Sequence, residues 1–315
     1  MSGDASFPWA EQAVCVTGAR GRLGTRIVPA LVERGAKVVA FDRTPGASPG
    51  KDVRARAGDL LRPGDLDRAL RGCTLVFHLA AKASADGSFA EPESYLDTNA
   101  TGTFALLAAC QRNQVKRVVF ASTGLVYGRP QALPVDESHA AQPLSPYAAS
   151  KLAAEAGLAA YAQALGFSVD SARFSNLYGA EDRADTVVGS ALGCALRGEP
   201  IGLRDLRPVR DFLHVDDAVE ALLRLAQAGQ EPGLRVYNVS TGQGESVGRM
   251  AQLLAEAVTA EGGPELEVRQ EGDPGESSSY DLVLDCSALA ARTGWRPGIA
   301  LGEGLRRVYR GRRAG

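Results

Sequence analysis

The first half of the chain alternates short apolar, β-branched runs with stretches of helical period. Residues 13–17 (AVCVT), 37–41 (KVVAF), 53–57, 74–79 (TLVFHL), 117–122 (RVVFAS) and 168–174 predict six strands. Helices are predicted over 22–34, where Gly35 is the stop, over 95–112 with its FALLAAC centre, and over the alanine-dense 146–165. Continuous apolar strands separated by helices require a parallel sheet covered on both faces, so this half reads as a doubly wound α/β (Rossmann) domain.

After Asn176 the alternation loosens. A helix is predicted over 186–197, followed by the Pro- and Arg-rich GEPIGLRDLRPVR, a short FLHV run, a helix over 216–228 and a strand over 235–239. Two more helices, near 246–260 and 286–293, flank the loop EGDPGESSS. The expected organisation is a cofactor lobe of residues 1–175 and 211–240, with a smaller C-terminal substrate lobe of 176–210 and 241–315.

Composition narrows the class. With 45% hydrophobic and 23% charged residues among 315, a disordered or collagen-like chain is excluded. A formal net charge of -2 gives no electrostatic reason to expect nucleic acid or an acidic membrane as partner. Cys15, Cys73, Cys110, Cys194 and Cys286 are scattered and odd in number, which reads as free thiols in a reducing compartment. The 3 histidines form no ligand spacing with them, so no metal site is expected. No leader pattern and no run near the roughly 18 apolar residues of a membrane span are seen, and a cytoplasmic location is expected.

Directly after the first predicted strand stands Thr17-Gly18-Ala19-Arg20-Gly21-Arg22-Leu23-Gly24, opening a helix. Gly18 permits a tight turn, Gly21 admits a pyrophosphate to the backbone, and Gly24 lets helix and strand approach. The helix N-terminus adds N–H groups and a partial positive charge. Asp42, at the end of the second strand, can accept hydrogen bonds from both ribose hydroxyls and would repel a 2′-phosphate, so NAD is favoured over NADP despite the neighbouring Arg43. Further on, Tyr147 and Lys151 lie at i and i+4 of the alanine-rich helix. A free tyrosine is about one part in a thousand ionised at neutral pH. Bringing its pKa near 7 takes about 4 kcal/mol, which a lysine ammonium and a nicotinamide cation could supply. Such a phenolate takes a proton from a hydroxyl while hydride leaves the same carbon. Thr123, in the strand-end segment STGLVYG, would hydrogen-bond the reacting oxygen.

With these come GDL (58–60), HLAA (78–81), NATGT (99–103), YAASK, RFSNLYG, RDFLHVDDA and YNVSTG, in order. From about Ala13 to Leu305 the chain resembles an extended short-chain dehydrogenase/reductase of the NAD-dependent epimerase/dehydratase family, whose members act on nucleotide sugars. The resemblance implies that Gly18, Arg20, Gly21, Arg22, Leu23, Gly24, Asp42 and Arg43 hold the adenosine diphosphate side of NAD. It implies that Asp59 and Leu60 border the adenine, and that Leu79, Ala80, Ala81 and Phe174 line the cofactor cleft. The same resemblance implies that Lys151 would also bind the nicotinamide ribose and that Asn99 would help fix the backbone around the Tyr147 helix. Ser84, Thr123, Asn176 and Arg210 are implied in substrate binding; for Arg210 a structural ion pair with Asp211 is the competing reading. His214 is expected only to cap or to fill space in its HVDD turn.

Departures from the family pattern carry information too. Dehydratases of the family place Asp-Glu after the threonine, whereas Gly124 and Leu125 here can move no proton, which suits epimerases better. The small-lobe phosphate-gripping arginine is displaced to Arg269 beside the acidic Glu271, so Arg204 or Arg207 becomes a candidate to hold the nucleotide half. Three readings follow: an epimerase acting on a nucleotide-activated sugar through a keto intermediate, an NAD(P)-dependent reductase or dehydrogenase of a ketosugar or other small carbonyl compound, and a non-catalytic cofactor-binding scaffold. A homodimer through the helices over 95–112 and 146–165 is expected from their broad apolar faces, with Leu107 and Leu158 among the contacts. The arginine run 306–313 reads as a solvated helix end.

Overall fold

The apolar runs of the first half become the centre of one sheet. The computed structural model describes residues 7–44, 50–182, 184–229, 231–272 and 280–314. The chain runs β1 (Ala13–Thr17), α1 (Gly24–Glu33), β2 (Lys37–Asp42), β3 (Val53–Ala57), α2 (Pro63–Leu70), β4 (Leu75–His78), α3 (Pro92–Leu96), α4 (Gly102–Arg112), β5 (Arg117–Thr123), α5 (Pro146–Leu165) and β6 (Ser168–Phe174). It continues through β7 (Asn176–Tyr178), α6 (Val187–Arg197), β8 (Ile201–Leu203), β9 (Val209–Arg210), β10 (Phe212–His214), α7 (Val215–Gln227) and β11 (Gly233–Val239). β12 (Glu245–Ser246), α8 (Val247–Ala260), β13 (Val268–Gln270), α9 (Ser287–Thr293) and α10 (Leu301–Ala314) complete it.

The seven-stranded parallel sheet has the order β11-β6-β5-β4-β1-β2-β3. The chain moves outward from β1 to β3 and then returns to the other side of β1 with β4, a topological switch at whose carboxyl end ligands bind. Thr17 and His78 are register partners at that end. Asp42 and Thr123 close β2 and β5 at the same edge.

The helices differ from expectation in identifiable places. α1 begins at Gly24, because the Gly21 N–H bonds Gly18 O at 2.9 Å and keeps the preceding residues in a turn. The single helix expected over 95–112 is split by a π-turn, Asp97–Thr101, in which the Gly102 N–H reaches Asp97 O. α2 escapes the periodicity because only Leu66, Ala69 and Leu70 of its 8 residues are buried. The arginines of α10 are engaged rather than simply solvated: Arg306 and Arg310 both bond the Glu261 carboxylate, holding that carboxyl down at about 2. Among the described residues no helix is long and apolar enough to cross a membrane.

The chain divides into two compact units, Met1–Val126 with Pro143–Arg173 and Ala221–Tyr237, and Tyr127–Gln142 with Phe174–Glu220 and Asn238–Gly315. Residues 127–142, 174–175, 211–220 and 238–240 therefore fall outside the unit that holds most of the expected cofactor lobe. The cause is a buried hub. Asn238 accepts the Tyr127 hydroxyl at 2.8 Å and donates to Val135 O and Asp285 O at 2.9 and 3.1 Å. Likewise, β10 pairs with β7. Each unit has its own core: Val76, Leu106, Phe120, Leu158 and Val169 belong to the first, Tyr178, Leu192, Phe212, Leu254 and Leu305 to the second.

One charge cluster inside the first unit is exacting. Asp170 on β6 bonds both Arg117 of β5 and Arg235 of β11, the latter at 2.7 Å, and Asp170 and Arg117 are almost fully buried. Removing one partner of a buried pair leaves an uncompensated charge. Asp170→Asn is expected to lower unfolding stability by about 3 kcal/mol, read by urea denaturation; a loss below about 1 kcal/mol would mean that the arginines find other partners.

Candidate active site

The turn between β1 and α1 is shaped by close approach. Gly18 has φ +68°, and a Cβ there would lie 2.7 Å from Ala80 Cα; a Cβ on Gly24 would lie 2.2 Å from Gly18 O. Both glycines are demanded by the protein's own packing. Gly21 is not: among the described residues its Cβ would meet only Gly18 O, at 3.2 Å. The space beside Gly21 is thus kept clear of protein, which fits a pyrophosphate laid on the turn. The Arg20 N–H donates to Asp42 Oδ2 at 3.0 Å, fixing the carboxylate beside the turn with its other oxygen available. The Ala80 and Leu79 backbone forms the opposite wall of the turn. Asp59 accepts the Leu61 N–H at 2.9 Å, whereas the Leu60 side chain turns into the core against Gly102.

α5 holds Tyr147 and Lys151. Ser145 caps it by accepting the Ala148 N–H, Pro146 occupies its first position, and Gly166 ends it in the left-handed region. The π-turn directs Asn99 at the same helix. Asn99 Oδ1 accepts the Lys82 N–H at 2.9 Å, and its Nδ2 donates to Lys82 O at 3.0 Å and Ser150 Oγ at 2.9 Å. Ser150 donates in turn to Tyr147 O at 2.7 Å. Ser150 has no role in the sequence reading; a serine three residues after the tyrosine is its only signal. Ser84 accepts the Gly87 N–H at 3.1 Å. Tyr95, fully enclosed, meets the Tyr147 ring edge-on at 6.3 Å.

Electrostatics separate the two groups on α5. Burial pushes the Tyr147 hydroxyl up to about 12, against the lowering effects of a hydrogen bond with Thr123 and of the Arg22 charge. Burial also brings the Lys151 ammonium down from 10.5 to about 7, opposed by the Glu155 carboxylate. Lys151 Nζ stands 4.1 Å over the Phe120 ring. Glu155, one turn beyond Lys151, accepts from Ser171 Oγ at 2.8 Å and from Arg173 at 3.1 and 2.6 Å. Burial therefore keeps the Tyr147 hydroxyl protonated at neutral pH in the protein alone.

Within the second unit, Asn176 opens β7, paired with β10, and Arg210 ends β9, paired with β12, directly before Asp211. The Asn176 N–H bonds Asp211 O at 2.9 Å. The expected competing ion pair between Arg210 and Asp211 does not form. Asp211 takes Thr241 N–H and Oγ1, Gly242 N–H and Ser175 Oγ at 2.8–3.2 Å, while Arg210 bonds Tyr280 O and lies over the Tyr280 ring. Phe174 is buried at the end of β6. His214 caps α7 through the Asp216 N–H at 3.2 Å. Arg207 is bidentate to Asp205 and Arg269 is paired with Glu271 at 2.9 Å; Asp273 lies outside the described residues.

Lys151 has a stability consequence with a definite sign. Below about pH 7 the folded and unfolded forms both carry the charge, and its full burial cost is felt. Between about 7 and 10.5 the folded form is already neutral while the unfolded form still binds the proton, so the cost falls as pH rises. Lys151→Met should therefore unfold at higher urea than wild type near neutrality, with the gain shrinking towards pH 10. A pH-independent gain would place the charge in a solvated environment.

A model of the NAD-dependent epimerase/dehydratase family matches residues 14–240. The putative UDP-glucose 4-epimerase of Methanocaldococcus jannaschii is 31% identical over 306 residues, covering 94% of this chain and 96% of its own length. The UDP-glucose 4-epimerase of Thermus thermophilus, solved in complex with NAD, superposes with a TM-score of 0.84 at 34% identity, over 95% of this chain and 99% of that one. DesIV, a dTDP-glucose 4,6-dehydratase of Streptomyces venezuelae solved with NAD, gives 0.86 at 28% identity, over 96% and 97%. The family match spans the glycine turn, the Tyr147 helix and the last strand of the sheet, and the chain belongs to the NAD-dependent epimerase/dehydratase family.

Proposed function

We propose that the protein inverts a hydroxyl-bearing carbon, C4 in the first instance, of a nucleotide-activated hexose such as UDP-glucose. The observation that carries this reading is Tyr147 one turn before buried Lys151 on α5, with Thr123 closing β5 and followed by Gly124 and Leu125, which offer no acid for elimination. Relatives named as 4-epimerases over nearly the whole chain support it. The Gly18–Gly24 turn takes the pyrophosphate, Asp42 the adenosine ribose, and Lys151 the nicotinamide ribose. Bound NAD⁺ supplies a hydride acceptor and a positive ring at the site. Tyr147 takes the proton from the sugar hydroxyl, which Thr123 would hydrogen-bond, and returns it after the keto sugar has turned over. Asn176 and Arg210 of the second unit serve the substrate's phosphates, with Arg269 drawn away to Glu271.

The test is UDP-glucose given to purified protein with no added dinucleotide. UDP-galactose should form, and Tyr147→Phe should lose at least about a hundredfold in turnover while keeping its cofactor. Turnover that depends on added NADPH and yields a reduced product would favour the reductase reading instead.

The chain is further proposed to work as a homodimer in the cytoplasm, its five free cysteines suiting a reducing compartment. Leu107 and Leu158 do not serve as contacts, since both are fully buried in the first unit's core. The outward stripe of α5 is instead Ala149, Ala153, Ala156, Ala160 and Ala164, next to Phe104 of α4, which lies on Gly157 and is 44% exposed. Small side chains in such a row let a two-fold partner helix approach closely. Ala160→Glu should convert a dimer into a 33.0 kDa monomer in sedimentation equilibrium; an unchanged dimer would put the interface elsewhere.

A further inference from the structure

His78 ends β4 with its ring fully buried, and each ring nitrogen meets one hydroxyl. Nδ1 lies 2.8 Å from Thr17 Oγ1, and Nε2 lies 2.9 Å from Thr103 Oγ1. The groups at the two ends dictate the bond directions. Thr103 Oγ1 is 2.5 Å from the carbonyl oxygen of Asn99, which can only accept, so Thr103 donates there and accepts from His78 Nε2–H. At the other end Thr17 Oγ1 accepts the Ala80 N–H at 3.3 Å, and because burial keeps the ring neutral with its proton on Nε2, Thr17 gives its own proton to Nδ1. The imidazole is therefore neutral and protonated on Nε2. Burial and the Lys151 charge keep it neutral, holding its pKa down at about 3.

From the Asn99 backbone the path continues through that residue's side chain: Asn99 Nδ2 donates to Ser150 Oγ, and Ser150 donates to Tyr147 O. On its flank the His78 ring lies 5.5 Å from the Phe120 ring, over which Lys151 Nζ stands. We propose that His78 is a positioning residue, a one-way hydrogen-bond relay from the strand end beneath the glycine turn to α5 that sets where Tyr147 and Lys151 stand. Polar groups buried with every bond satisfied admit one geometry, because any rotation leaves a donor or acceptor unpaired. The inference rests on the reading of Tyr147 and Lys151 as the proton-handling pair.

Thr103 is the link to cut, since it touches neither His78's strand partners nor the proton-handling pair. Thr103→Val keeps the side chain's shape and removes its hydroxyl. NAD affinity and KM should stay within about twofold of wild type, while kcat falls roughly tenfold to a hundredfold, the size of effect that a small misplacement of reacting groups produces. Thr103→Ser should restore kcat. An unchanged kcat in Thr103→Val, or a loss that serine does not restore, overturns the relay. If Thr103→Val does not fold, nitrogen-15 NMR of wild-type His78 decides: a proton on Nε2, unchanged from about pH 5 to 8, is expected, and a proton on Nδ1 or a titration in that range overturns it. Tyr147→Phe with full activity would sink the site assignment instead, and leaves the tautomer result to be judged on its own.

Discussion

Burying Lys151 to 2% exposure strips its ammonium of water, and the neighbouring groups are arranged around that loss. The Phe120 ring offers its negative face, and Glu155 offers a carboxylate one helical turn away. A buried carboxylate would create the same difficulty again, so Arg173 and Ser171 of β6 hold Glu155 by three hydrogen bonds. His78, whose ring packs against Phe120, is kept neutral by its burial and by the Lys151 charge. A single buried charge thus reaches through α5, β4, β5 and β6.

The sheet topology explains why these groups meet. Thr17, Asp42, His78 and Thr123 come from four strands, and each closes its strand at the carboxyl edge of the sheet. The glycine turn follows one of them directly, and the π-turn before α4 points Asn99 back at α5. The second unit is organised by different buried polar hubs, Asn238 for residues 127–142 and Asp211 around Asn176.

Local signals are legible where the physics is local. The bounds of α5 follow from a capping serine, an N-terminal proline and a left-handed glycine, all within its own segment. Gly18, Gly24, Asp42, Tyr147 and Lys151 can be picked out because spacing along one turn or one helix carries their meaning. His78, Thr17 and Thr103 cannot. Their bonds join residues 61 and 25 positions apart, and nothing in a linear pattern announces them. Leu107 and Leu158 resemble surface contacts in the sequence because periodicity reports that a face is apolar and not whether it is covered from within the same unit. The placement of 127–142 fails for the same reason, since Val135 meets Val283 from the far end of the chain.

Burial by itself keeps the Tyr147 hydroxyl high, and on the proposed reading the positive ring of NAD⁺ would be what frees its proton. Tyrosinate absorbance of wild type minus Tyr147→Phe, titrated from about pH 6 to 11 with and without saturating NAD⁺, tests this directly. Without NAD⁺ the Tyr147 signal should be missing through the ordinary tyrosine range, in keeping with a pKa of about 12. With NAD⁺ it should appear several pH units lower. A phenolate already present near neutrality in the cofactor-free protein, or none in that range with NAD⁺ bound, would contradict it.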